Sequence, residues 1–200
     1  RTPRTPGVEP PGPHDPPNLT PLPRLSYPFR SLYKAAVGTH AAPLRGPGFA
    51  ICPINTARGV QLRRNWAMGA ISSRQVRRAR HVLQAGPTDE VKIIVTHHPL
   101  SWPPDAYMPG LTRGGPTAEA ELVEAGADLL LSGHLHTAHL RTVAYPNRTA
   151  LAVSAGTLST RLRGTPPSFM LIEGGGGKLL SVQTMAVQEN GRVVAGPPML

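Results

Sequence analysis

Two short aliphatic runs, each followed directly by histidines, constrain the fold of this chain most strongly. Residues 91–95 form a compact β-branched run, and residues 128–131 form a second apolar run. Their length and composition predict two buried strands. A helix is predicted between them, starting at Thr117 and ending at Gly126. This alternation of strand and helix favours a mixed α/β fold.

Further elements are predicted on both sides of these runs. Residues 49–54 read as a short strand, and Ser72 or Ser73 is placed to cap a helix that Gly86 ends. In the helix beginning at Thr117, Glu119 and Glu121 are expected in the first turn, where the helix dipole favours acidic side chains. Beyond that helix and the second strand the pattern is β only, with strands predicted over 140–144, 148–154, 168–173 and 179–187.

Prolines are concentrated in the first 28 residues of the chain. Ten of its 24 prolines lie within residues 1–28, and such a segment forms neither a helix nor a central strand. We therefore expect an extended, Pro-rich lead-in over residues 1–24, a folded domain over 25–190 and a C-terminal tail over 191–200.

Positive charge is concentrated in one stretch. The chain has a net charge of +10, and residues 16–88 hold eleven basic residues and no acidic one. Such a stretch would attract phosphates, nucleic acid or anionic lipid, but a general drift of composition towards Arg, Ala, Pro and Gly is the favoured explanation. A single cysteine excludes an internal disulfide, and no apolar run is long enough to span a bilayer. We expect a cytoplasmic protein, and a targeting segment upstream of Arg1 stays open.

Histidines follow both buried strands where each strand ends. Five of the eight lie between residues 97 and 139, and four stand in Thr96-His97-His98-Pro99 and Gly133-His134-Leu135-His136. Because sites in open α/β sheets form beyond the carboxyl ends of strands, we expect the two groups to meet. In an extended segment His134 and His136 would point to one side, with Gly133 allowing a turn before them. Gathered imidazoles favour a transition-metal site over histidines that merely occupy a surface loop.

These segments resemble the calcineurin-like metallophosphoesterases, within them the cyclic-nucleotide-phosphodiesterase-like bacterial branch. The resemblance rests on residues 96–100, on residues 132–136 and on the later segment around Ala155-Gly156-Thr157. Upstream, Gly12-Pro13-His14-Asp15 stands where the family has G-N-H-D, so the resemblance covers residues 12–190. It implies that the chain is the C-terminal part of a four-layer α/β/β/α sandwich.

The resemblance also implies a chemistry and a set of roles. The family hydrolyses phosphoesters with two divalent ions, such as Mn, Fe or Zn, that neutralise the phosphoryl oxygens during in-line attack. His97 and His134 would ligate one ion and His136 the other, which leaves His98 behind the ligands or at the surface. His14, held by Asp15, would protonate the leaving group or stabilise the developing charge. Separately, the position of Arg161 and Arg163 after Ala155-Gly156-Thr157 fits either an approach to the site or charges on the surface of a hairpin. The substrate would be a small phosphoester or a cyclic nucleotide.

Two departures from the family pattern affect these expectations. Pro13 replaces an asparagine ligand and has no side-chain oxygen, and the family's D-x-H and G-D motifs are not found in this chain. Without a carboxylate between them, two cations repel each other strongly, so we expect an incomplete binuclear site in this chain alone. One alternative is a catalytically dead or truncated relative with a structural or interaction role. A second, less favoured, is a basic nucleic-acid-binding domain.

Overall fold

The computed structural model describes residues 10, 43–58, 68–106, 110–160 and 162–200. Apart from Pro10, the predicted lead-in over 1–24 lies outside these residues. Within them the chain forms two helices and nine strands in the order β1 (Leu44–Gly46), β2 (Phe49–Ile54), α1 (Ser73–Gln84), β3 (Val91–Thr96), α2 (Gly115–Glu124), β4 (Leu129–Ser132), β5 (His139–Ala144), β6 (Thr149–Ser154), β7 (Ser168–Gly175), β8 (Lys178–Val187) and β9 (Val193–Pro198).

The strands form a six-stranded mixed sheet and a three-stranded antiparallel sheet. The larger sheet has the order β1-β2-β3-β4-β6-β5, and its four inner strands β2, β3, β4 and β6 are parallel. The edge strands β1 and β5 pair antiparallel with their neighbours. The smaller sheet has the order β7-β8-β9. The predicted mixed α/β fold is confirmed.

The core has two parts, one on each face of the six-stranded sheet. On one face Ile94 and Leu130 pack against Leu83 of α1 and Leu122 of α2, all nearly inaccessible to solvent. On the other face the completely buried Leu129 belongs to a separate cluster whose other buried members are Val153 of β6 and Val182 of β8. The described residues therefore stack as helices, six-stranded sheet and three-stranded sheet.

Helix α1 begins at the predicted cap. The Ser72 hydroxyl accepts a hydrogen bond from the backbone N–H of Gln75, and the Gln75 side chain accepts one from the backbone N–H of Ser72. This reciprocal pair satisfies amide groups that the first turn leaves without a helical partner. Val76, Ala79 and Leu83 form its buried face, as their spacing predicts.

Helix α2 begins two residues earlier than predicted, at Gly115 instead of Thr117. Gly114 precedes it in a left-handed conformation, and Pro116 suits the first turn because its φ is already helical. The first turn therefore holds no acidic residue, and the prediction for Glu119 and Glu121 is wrong. Glu119 instead lies on the buried face of the helix, with only 3% of its surface exposed.

Two strands were missed by the sequence pattern. β1 is only three residues long, and β9 lies within residues 191–200, which the sequence analysis treats as a tail. β9 pairs with β8 at the edge of the smaller sheet. None of the helices among the described residues is long and apolar enough to cross a bilayer.

Candidate metal site

Three of the parallel strands bring polar side chains to the same edge of the larger sheet. Thr56 follows the carboxyl end of β2, His97 and His98 follow β3, and His134 follows β4. Because β2, β3 and β4 are neighbours and run parallel, these four residues come together although the chain separates them widely. The expected meeting of the two histidine groups therefore occurs.

His97 and His134 are in direct contact. The Nε2 atom of His97 lies 3.2 Å from the Nδ1 atom of His134, and the ring centroids are 5.2 Å apart. Two nitrogens bound to one ion at about 2.1 Å would lie about 3.0 Å apart in octahedral and about 3.4 Å apart in tetrahedral geometry. The observed separation is that of a hydrogen bond between the two rings, and it also falls within the range for two ligands of one ion.

His98 is buried at the base of the same cluster. It is fully inaccessible to solvent, its ring centroid lies 4.5 Å from that of His134, and Gly69 packs so tightly on it that a Cβ there would come within 2.7 Å of the ring. The Nδ1 atom of His98 lies 2.9 Å from the hydroxyl oxygen of Thr56, which also accepts a hydrogen bond from the backbone N–H of His98. The surface position that the sequence analysis left open for His98 is wrong.

The loop that carries His134 is held in an unusual backbone conformation. His134 and His136 have φ values of 68° and 64°, and these are the only left-handed residues other than glycine in the described part of the chain. The buried Leu135 lies between them, and its N–H bonds to the carbonyl of Gly133. The expectation that His134 and His136 lie in an extended segment is therefore wrong. The left-handed turn occurs at the two histidines instead of at Gly133. Such conformations cost energy and concentrate at functional sites.

His97, His98 and His134 form the group of described residues that could hold a metal ion. Each offers one nitrogen, and the three atoms lie within 4.8 Å of one another. Imidazole is a good ligand for Zn²⁺, Fe, Cu and Ni, so the donor chemistry fits a transition-metal ion. His136 is half-buried next to this group but does not belong to it. No carboxylate among the described residues belongs to it either.

The structure describes only one of the four remaining predicted site residues. His14, Asp15 and Arg161 lie outside the residues that the structure describes. Arg163 is half-buried in the loop between β6 and β7. Sequence reasoning missed Trp102, whose ring packs edge-on against His134 with centroids 5.6 Å apart.

A cavity of about 490 Å³ is lined by Thr96, Pro99 and Ser132, which adjoin the histidines along the chain, although His97, His98 and His134 do not line it. The Thr96 hydroxyl donates a hydrogen bond to the carbonyl of His98. The cavity wall also holds an ion pair between Glu119 and Arg141. Polar, charged and apolar side chains thus share the lining of this cavity.

The electrostatics of the described residues are uneven. Burial and the neighbouring Arg113 both lower the pKa of Arg58. On α1, Arg74, Arg77 and Arg78 are exposed, whereas Arg80 reaches Glu121 at 3.4 Å. The arginine-rich face of the helix is thus mainly solvated.

Comparison with known proteins yields little. No protein-family profile matches the chain, and no curated protein matches it. Among solved structures it is similar to a single mutant of Vps29 from Entamoeba histolytica, with 14% sequence identity and a TM-score of 0.31. The similarity covers 75% of this chain and 99% of that one. At this level it says nothing about the functional residues of this chain.

Proposed function

We propose that this protein is a metal-dependent phosphoester hydrolase. The observation that carries the proposal is the contact between His97 and His134 at the carboxyl edge of the larger sheet, with the nitrogens 3.2 Å apart. The motifs that resemble the calcineurin-like metallophosphoesterases supply the same two histidines as ligands of one ion. Sequence resemblance and three-dimensional placement therefore support one site.

Each residue then has a proposed task. His97 and His134 hold the first divalent ion, and His136 contributes to a second ion in the complete family site. A bound ion would act as a Lewis acid on a phosphoryl oxygen. His14, oriented by Asp15, gives a proton to the leaving oxygen, and Arg161 and Arg163 orient the phosphate by charge-assisted hydrogen bonds. The cavity lined by Thr96 offers space for the organic part of a small phosphoester.

A catalytically dead relative is the second candidate. Two observations favour it: Pro13 stands at a position where the family has a ligand, and the described histidine group contains no carboxylate. Such a protein could still bind an ion through its imidazoles. It would not turn over a phosphoester.

Hydrolysis of bis-p-nitrophenyl phosphate, measured with added Mn²⁺ and separately with added Zn²⁺, distinguishes the two candidates in the longest form of the protein that its gene encodes. The active protein should release p-nitrophenolate only with metal, and His134→Ala should reduce turnover to the metal-free level. His81→Ala is the matched control, because His81 is exposed on α1 and lies outside the site. Turnover no higher than that of His134→Ala would refute the hydrolase and favour the dead relative.

A further inference from the structure

We propose that His98 is a third imidazole ligand alongside His97 and His134, that Thr56 positions its ring, and that the three hold one ion of the zinc class. The inference deepens the proposed metal-dependent function and rests on it. It differs from the ligand set implied by the family resemblance, in which His98 has no ligand role.

The ring of His98 is as close to the other two as they are to each other. Its centroid lies 4.8 Å from that of His97 and 4.5 Å from that of His134, against 5.2 Å between His97 and His134. The ligand atoms of all three lie within 4.8 Å. A tetrahedral ion needs pairs about 3.4 Å apart, so the widest pair would have to close by about 1.4 Å at most. Small side-chain rotations of His97 and His134, which are half-buried, can supply that movement.

Thr56 holds the Nδ1 side of the His98 ring. Its hydroxyl oxygen accepts the backbone N–H of His98 and lies 2.9 Å from Nδ1. The hydroxyl can donate to Nδ1 or accept from it, and ion binding requires the second arrangement. With Nδ1 protonated, Nε2 carries the lone pair that binds the ion. Ligating histidines usually donate their other ring N–H in this way, which fixes the tautomer and the ring orientation.

The donor set selects the kind of ion. Three neutral imidazoles without a carboxylate favour Zn²⁺, and equally Co²⁺, Ni²⁺ or Cu²⁺, over Mg²⁺, Ca²⁺ or Mn²⁺, which prefer oxygen ligands. Three protein ligands also leave a position for a further molecule, as in zinc sites that take part in catalysis. The partial exposure of His97 and His134 keeps that position accessible.

The test is zinc binding by the chain itself, measured by isothermal titration calorimetry after removal of metal with a chelator. We expect one Zn²⁺ per chain, with far weaker binding of Mg²⁺. Thr56→Val should weaken zinc binding about 10- to 100-fold, which is the usual effect of removing an outer-shell partner. His98→Ala removes a proposed ligand and should weaken binding by at least as much. Thr56→Ser keeps the hydroxyl and should bind as the unaltered chain does. His81→Ala is the control for loss of an exposed histidine, and circular dichroism checks the fold of each variant.

A measurement on the unaltered chain covers the case in which a variant fails to fold. Adding Zn²⁺ should shift the ¹⁵N resonances of His98 Nε2 and His134 Nδ1 to metal-bound positions. Three results would each overturn the inference. The His98 resonances could stay unmoved by Zn²⁺, or His98→Ala could bind zinc as tightly as the unaltered chain. The third is loss of the ion in His136→Ala but not in His98→Ala. Zinc binding without phosphoester turnover would remove the hydrolase alone. Turnover and metal content unchanged in His98→Ala would remove this inference alone.

Discussion

The ion pair between Glu119 and Arg141 should be the most sensitive polar contact in the described structure. Glu119 is 3% exposed, and besides Arg141 it accepts hydrogen bonds from the hydroxyl of Ser101 at 2.9 Å and from that of Tyr145 at 3.3 Å. Replacing Arg141 by methionine leaves a buried carboxylate with two neutral donors. Removing one partner of a buried pair costs about 3–5 kcal/mol, so Arg141→Met should lose this much free energy of unfolding.

The double variant separates the lost charge partner from the lost packing. Glu119→Gln with Arg141→Met removes both charges, and replacing a buried pair with neutral groups of similar size is often close to neutral. We expect the double variant to recover at least about 2 kcal/mol relative to Arg141→Met. Urea unfolding at neutral pH, followed by circular dichroism, measures each free energy.

Arg80→Met is the matched control. The pair of Arg80 and Glu121 is 3.4 Å long with side chains 44% and 39% exposed, so its loss should cost less than about 1 kcal/mol. If Arg141→Met costs no more than this control, or if the double variant is as unstable as the single one, the burial argument for Glu119 is wrong.

Two further predictions concern a buried thiol and a strained loop. Burial raises the pKa of Cys52 from 9.0 to about 11, so at pH 8 it should react with Ellman's reagent about 100-fold more slowly in the native chain than in denaturant. Equal reaction rates in the native and the denatured chain would contradict this. Because the folded state favours the neutral thiol, the stability that the thiol contributes is present below pH 9 and is lost as the pH rises towards 11. His136→Gly should be about 1 kcal/mol more stable to urea than His136→Ala, because glycine adopts a φ of 64° without strain; equal stabilities would show that the loop carries none.

Local patterns predicted the scaffold of the site well. The apolar run at residues 91–95 and the histidines after it fix where β3 ends and where His97 lies. The same holds for β4 and His134, because parallel neighbours end at a common edge. Periodicity along the chain was enough to establish these elements, since each depends on residues close in sequence.

Features that depend on distant residues were not predictable in the same way. Thr56 contacts His98 across 42 positions, and nothing near Thr56 in the sequence indicates this contact. β9 contains Gly196 and two prolines, which argue against a strand; it is tolerated because it pairs on one side only, with β8. His134 and His136 are not in the expected extended conformation: both are left-handed around the buried Leu135, and no short sequence pattern indicates this turn.

The histidine group exists only when β3 and β4 have come together, because its members follow two separate strands. An ion that binds there would therefore bind the native chain more tightly than the unfolded one. By mass action, such an ion at 100 times its dissociation constant adds about 2.7 kcal/mol to stability. The supply of free metal in its surroundings would then help to decide how much of this protein survives proteolysis.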